Sequence, residues 1–221
     1  MKIINKRSEK SLIDEFIDNF KKDYLRKKKQ NKRFSFVLTG GESPRKLYRK
    51  LAESNINWNK VDFFWGDERF VSHKSKNSNF KLASDEFIER SKINKKNIFP
   101  IKTNKSLLKC SNDYSRIIKK YFKNKKISFD YCLLGMGKDG HIASIFPNSK
   151  NISRKFITAP VIRKDFKRIT LGLNTINESK KILLWLNNKS IAKNYSDLAK
   201  QGKKIPINNL KKKKILIFKI S

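Results

Sequence analysis

Residues 134–147 read Leu-Gly-Met-Gly-Lys-Asp-Gly-His-Ile-Ala-Ser-Ile-Phe-Pro. Of the chain's eight glycines and two histidines, Gly135, Gly137, Gly140 and His141 all fall in this run. Just upstream, Phe129-Asp130-Tyr131-Cys132-Leu133-Leu134 is aromatic and apolar, as a buried strand should be. A glycine-rich turn directly after such a strand lies where open α/β sheets bind ligands, outside the carboxyl ends of the strands. Asp139, two residues before His141, is placed to orient the imidazole. The stretch predicts a sheet with a ligand site at this turn, and His141 with Asp139 is its candidate catalytic pair.

The rest of the chain extends the pattern. Leu12, Ile13, Phe16, Ile17 and Phe20 have the spacing of a helix over 11–26, with Ser11 and Asp14 as its cap. Residues 34–38 read as a strand, 39–43 as a tight turn, and Pro44 as the first position of a helix through Leu51. Residues 61–65 are a second strand, with Gly66-Asp67-Glu68-Arg69 at its carboxyl end. Helical spacing recurs over 78–91, 106–122 and 189–199, and 155–159, 169–172, 182–186 and 215–218 read as strands. Strands alternating with helices predict an α/β fold: a largely parallel sheet covered on both faces, in one domain over residues 1–221.

Composition narrows the class. No stretch approaches the ~20 apolar residues that cross a bilayer. The N-terminus turns polar at once, without a signal-peptide apolar run, so a cytoplasmic protein with no membrane partner is expected. Cys110 and Cys132 are too few for a disulfide framework and read as free thiols, Cys132 within a strand. The formal charge of +35 raises the question of nucleic acid. Lysines occur in nearly every polar segment, however, and no nucleic-acid signature accompanies them. The charge therefore predicts salt-sensitive, non-specific attraction to polyanions and no specific nucleic-acid site.

Two further clusters carry chemistry. Thr39-Gly40-Gly41-Glu42-Ser43-Pro44 joins strand to helix; the glycines let a ligand approach the backbone, and the helix start offers unpaired N–H groups. Gly40, Gly41 and Ser43 are candidate phosphate-binding residues, although Gly-Gly alone is also an ordinary βα turn. In the second cluster, Arg69 can grip a phosphate with its planar fork, and Asp67 or Glu68 can orient it. Taken alone, the same residues read equally as a surface ion-pair network. His73 falls in the polar run 72–77, which reads as an exposed loop without a role. Together the clusters describe a pocket for a phosphorylated small molecule beside a histidine.

At these residues the chain resembles the 6-phosphogluconolactonases. Residues 133–147 are similar to that family's L-G-M-G-x-D-G-H-T-A-S-L-F-P, and Gly40-Gly41-Glu42-Ser43-Pro44 to its G-G-S-T-P turn. Residues 63–71 resemble F-F-W-G-D-E-R-x-V, Ser78-Asn79-Phe80 resembles S-N-Y, and Arg168-Ile169-Thr170-Leu171 matches R-I-T-L. The resemblance implies a Rossmann-like sheet shared with sugar-phosphate isomerases and deaminases. It implies hydrolysis of 6-phospho-D-glucono-1,5-lactone in the oxidative pentose phosphate pathway, with no metal or organic cofactor. By position His141 corresponds to a general base, Arg69 to a substrate-binding arginine, and Gly40, Gly41 and Ser43 to the phosphate turn.

Two positions depart from the family pattern. Glu42 replaces a small hydroxyl residue beside the expected phosphate, and the family's loop lysine falls on Arg163, with Lys164 beside it and Arg168 following. Arg163 and Arg168 complete the candidate substrate-binding set with Asp67. The nearest alternative is the related glucosamine-6-phosphate deaminase, whose sequence carries Glu five residues after the histidine; Phe146 stands there in this chain. A basic RNA-associated protein on the same fold is the alternative from another class. The expected partner is a small sugar phosphate, and the expected assembly a monomer or weak homodimer.

Overall fold

Parallel strands bury both faces and need apolar runs, which this chain supplies as short aromatic stretches. The structure, a computed structural model, describes residues 1–202 and 204–221. Its elements are β1 (Lys2–Lys6), α1 (Glu9–Lys29), β2 (Phe34–Leu38), α2 (Arg45–Ala52), β3 (Val61–Trp65), β4 (Asp67–Arg69), α3 (Asn79–Ala83) and β5 (Ile98–Phe99). They continue as α4 (Leu107–Tyr121), β6 (Tyr131–Leu134), β7 (Thr158–Ile162), β8 (Lys167–Leu171), α5 (Leu173–Glu178), β9 (Lys181–Leu186), α6 (Lys189–Leu198) and β10 (Ile215–Ile220). Seven strands form one sheet, ordered β1-β10-β9-β6-β2-β3-β5, with every pairing parallel. β4, β8 and β7 form a smaller antiparallel sheet.

Neighbouring residues of β3 show why both faces need helices. Phe63 meets Phe36, Trp58 and Phe87 at centroid distances of 6.3, 6.1 and 5.4 Å. Phe64 points to the other face, onto Phe99 at 4.8 Å and Tyr121 of α4 at 4.9 Å. α1 covers the first face. Its Phe20 lies 5.0–5.4 Å from Phe34, Phe36, Trp58 and Tyr131. The mainly parallel, Rossmann-like sheet with helices on both faces is therefore present.

The chain runs from β2 to β3 toward one edge and from β6 through β9 to β10 toward the other. The order thus reverses between β2 and β6, and the crevice at such a switch point is where open sheets bind ligands. Residues 39–43 and 135–141 follow these two strands. A tyrosine braces each of the strand ends of β2 and β3. Tyr48 Oη of α2 accepts from Thr39 N–H at 3.0 Å and donates to its carbonyl at 2.6 Å, and Tyr114 of α4 treats Trp65 likewise at 2.8 and 3.0 Å.

Several elements differ from expectation. The polar N-terminus forms β1, an edge strand whose only buried residue is Ile4, so it has no apolar run to read. α1 starts earlier, capped by Ser8 Oγ accepting from Ser11 N–H at 3.2 Å, rather than by Ser11 and Asp14. The strand expected at 155–159 is shifted to β7, where Thr158 Oγ1 donates to the Ser111 carbonyl at 2.7 Å. Both β7 and β8 lie in the small sheet and not the parallel one. The helix expected over 78–91 is α3 followed by a wider π turn over Ser84–Ile88. Glu86 in that turn is buried between Arg45 and Arg49 of α2, and their hydrogen bonds, Arg49's foremost, hold its carboxyl down near about 2. Cys110 and Cys132 are buried free thiols, and burial pushes Cys132 up to about 12. No helix among the described residues is long and apolar enough to cross a membrane.

Phe20 is the aromatic hub between α1 and the sheet, so Phe20→Ala should cost about 3–5 kcal/mol. Urea unfolding checks this: the midpoint should fall with little change in slope.

Candidate active site

The histidine turn is built by its glycines. Gly140 has φ +82° and donates to the Gly137 carbonyl at 3.0 Å, while Gly137 N–H donates to the His141 carbonyl at 2.9 Å. Asp139 Oδ1 accepts from His141 N–H at 3.1 Å and from its Nδ1 at 2.6 Å. A carboxylate at Nδ1 places the ring proton there and leaves Nε2 with a lone pair. The imidazole lies directly over Gly137, where a Cβ would meet His141 Cε1 at 2.1 Å. Phe146 packs against the imidazole with centroids 4.7 Å apart.

The second wall is the turn after β2. None of the backbone N–H groups of Gly40, Gly41, Glu42 and Ser43 has a hydrogen-bond partner among the described residues, and all four residues line the cleft. Gly41 at φ +80° makes the turn. Ser43 Oγ donates to Asn187 Oδ1 at 2.8 Å, so its hydroxyl is held but can still accept. The Glu42 side chain is 82% exposed and paired with Arg45 Nε and Nη2 at 2.8 and 3.0 Å. Arg45 holds that carboxyl below its usual range. The substitution thus places a neutralised carboxylate in solvent, not against the turn.

β4 supplies the third wall. Asp67 is buried and accepts from Ser144 Oγ at 2.6 Å and Asn79 Nδ2 at 3.2 Å. Glu68 points the other way and accepts from the N–H groups of Arg69, Asn79 and Phe80 and from Ser78 Oγ at 2.7–3.0 Å. Burial pushes its carboxyl up to about 7 even so. Neither acid is therefore the group that orients Arg69. Its Nη1 instead donates to the Asn77 carbonyl at 2.8 Å, and Arg69 lines the cleft. Asn79 and Ser144 are not among the candidate site residues read from the sequence, although Asn79 stands in the Ser78-Asn79-Phe80 match, directly after the Ser78 cap.

The cleft so formed has a volume of about 180 Å³ and brings together residues 39–43, Asp67, Arg69, Asn79, residues 135–137 and His141. Arg163 and Arg168 do not line it and stand over Phe146 instead. Their guanidinium carbons are 4.4 and 5.6 Å from its ring centroid, and Arg168 is engaged by Asp165 at 2.9 and 2.5 Å. His73 is half-buried, not an exposed loop residue: it stacks on Phe80 at 4.5 Å and its Nε2 meets the Ile101 carbonyl at 2.8 Å. Among the described residues no group of three or more His, Cys, Asp or Glu side chains is arranged to hold a metal.

One strand-end cleft thus combines four unpartnered backbone N–H groups, an arginine and a His–Asp pair, an arrangement suited to a small anionic ligand. Residues 7–217 match the family described as glucosamine-6-phosphate isomerases/6-phosphogluconolactonase, and the chain belongs to it. It is 33% identical over 166 residues to a 6-phosphogluconolactonase of Thermotoga maritima, covering 74% of each chain. The crystal structure of 6-phosphogluconolactonase from Thermotoga maritima superposes with a TM-score of 0.88 at 26% identity, over 99% of this chain and 98% of that one. A monomeric glucosamine-6-phosphate deaminase shares the fold at a TM-score of 0.82 and 20% identity, covering 100% of this chain and 97% of that one.

The contact over Gly137 yields a direct test. A methyl there at 2.1 Å must move the ring by about 1.5 Å to restore van der Waals distance. A crystal structure of Gly137→Ala should show that displacement with the melting temperature nearly unchanged, since Gly137 is not among the residues with positive φ.

Proposed function

We propose that the chain hydrolyses 6-phospho-D-glucono-1,5-lactone to 6-phospho-D-gluconate. The observation that carries this reading is the cleft itself: four unpartnered N–H groups at residues 40–43 share it with an imidazole whose Nδ1 is occupied by Asp139. The N–H cradle suits the substrate phosphate, helped by the amino end of α2. Arg69 supplies a fixed positive charge, and Asp67 an acceptor for a sugar hydroxyl. Phe146 supports the lactonase reading over the deaminase one, because an aromatic ring and not a carboxylate packs against His141.

In this scheme water attacks the lactone carbonyl carbon as His141 Nε2 takes its proton. Asp139 holds the imidazolium that forms. As the tetrahedral intermediate collapses, the bond from the carbonyl carbon to the ring oxygen breaks and the imidazolium returns its proton to that oxygen. One histidine thus serves both steps, and no covalent intermediate is needed. Ser144 does not act as a nucleophile here; its hydroxyl is committed to Asp67. Arg163 and Arg168, outside the cleft's lining at Phe146, offer positive charge to a substrate group that extends beyond it.

His141→Asn should lower turnover by about 10²–10⁴-fold, after subtraction of spontaneous hydrolysis, with product affinity largely kept. Near-normal turnover in that variant would place the base elsewhere. Arg69→Ala should raise KM more than it lowers kcat, because the substrate's phosphate charge is present in ground and transition states alike. Steady-state kinetics with unchanged KM and collapsed kcat would instead assign Arg69 to the developing oxyanion.

A further inference from the structure

The end of the sheet opposite the cleft holds a second concavity, about 260 Å³ against the cleft's 180 Å³. β2 is five residues long, so the two openings are separated by about 17 Å of strand. The concavity lies where the carboxyl half of α1 passes the starts of β2, β6 and β9. Phe34 and Tyr131 form its apolar wall, and Arg26, Lys27, Lys180 and Lys181 its cationic one.

These four cations share two carboxylates. Lys27 Nζ sits 2.7 and 2.6 Å from the two oxygens of Asp130, and Lys180 Nζ sits 2.8 Å from Oδ1. Asp130 Oδ2 also accepts from Ser35 N–H at 2.9 Å and Ser35 Oγ at 3.0 Å, so this acid is fully engaged. Asp23 is bonded by Lys181 and by the Tyr131 hydroxyl, with Arg26 at 3.5 Å. Two positive charges are left over, and each ammonium keeps N–H donors that the acids do not use. Lys27 is mostly buried, and burial holds its ammonium below the usual range, with the charge of Lys180 acting the same way. A second anion at this place relieves both effects. The uncommitted charge matches a dianion, and the apolar wall admits a small organic group attached to it.

We propose that this concavity is a second anion site that binds a phosphate dianion, free or as a small monoester. The assignment does not depend on the reaction in the cleft. It also differs from the diffuse attraction expected of a chain at +35, because it needs these particular cations around one concavity.

Calorimetric titration at about 150 mM ionic strength, where long-range attraction is screened, tests it. Inorganic phosphate is titrated into the parent protein, into Arg26→Gln/Lys180→Gln, and into Lys212→Gln/Lys213→Gln as an equal change of charge elsewhere. Arg26 and Lys180 are exposed, and Lys27 remains on Asp130 in the first variant, so matched melting temperatures are expected. The parent and the control should bind two equivalents, one in the cleft and one here. The first variant should lose one equivalent or bind it at least about tenfold more weakly. Repeating the titration with glucose 6-phosphate separates the sources: tighter binding of the monoester here identifies an organic phosphate, and equal affinity the free ion. An unchanged isotherm in the first variant, or an equal loss in the control, overturns the site.

Discussion

The carboxylate of Asp67 is where three distant segments of chain meet. Ser144 brings the histidine loop to it, and Asn79 brings the start of α3. The Asn79 side chain in turn lies flat on Gly40, where a Cβ would meet Oδ1 at 1.9 Å. One buried side chain therefore fixes the turn after β2, β4 and the loop after His141 relative to one another. A carboxylate so buried is tolerated only when it is hydrogen-bonded, so the three segments must arrive together or not at all. Gly66 just before it ties the two sheets: its N–H donates to the Leu38 carbonyl at 2.9 Å, and its carbonyl accepts from Leu171 at 2.8 Å. Ala143, beside Ser144, takes φ +48° to complete the loop, a strain that the bonds on either side hold in place.

The same logic gives the glycines two separate duties. Gly41 and Gly140 are needed for positive φ, whereas Gly40 and Gly137 are needed because a side chain rests on the Cα. The second duty is the more informative about chemistry. It means that the imidazole and the Asn79 amide are seated on backbone, which cannot yield as a neighbouring side chain could. With Tyr48 and Tyr114 bracing the ends of β2 and β3, the cleft's walls are fixed by rigid elements before any ligand arrives.

That distinction also explains what was legible in the sequence. The parallel strands appear as aromatic runs and the cleft as glycine turns after them, because both are local patterns. Partners chosen across the fold are not local. Nothing near Arg69 announces that Asn77 would hold it, or that Asp67 and Glu68 would turn to Ser144 and to the α3 N–H groups instead. Arg163 and Arg168 belong to the cleft in sequence logic, yet they stand over the ring of Phe146 and outside the cleft's lining. β1 escaped notice because an edge strand buries one residue, and His73 because its support, Phe80 and Ile101, comes from later in the chain.

The excess of cations has a structural counterpart in how the few acids are used. With 54 Lys and Arg against 19 Asp and Glu, a carboxylate is the scarce partner, and several serve two cations at once. Glu86 joins Arg45 and Arg49, Glu178 joins Lys126 and Lys211, and Asp130 joins Lys27 and Lys180. Those bonds hold Glu86 and Glu178 near about 2, and they prevail over burial to keep Asp130 below its usual value. A carboxyl held low when folded contributes stability that is complete above its unfolded value near 4.5 and is lost as pH falls toward 2. Protonating such an acid frees two cations together, so acid adds repulsion at the same points where it removes attraction. In a chain this basic, the ionic contacts of α2 with the turn at Glu86, and of Lys27 and Lys180 with the residue before β6, run through single carboxylates, whatever the number of lysines around them.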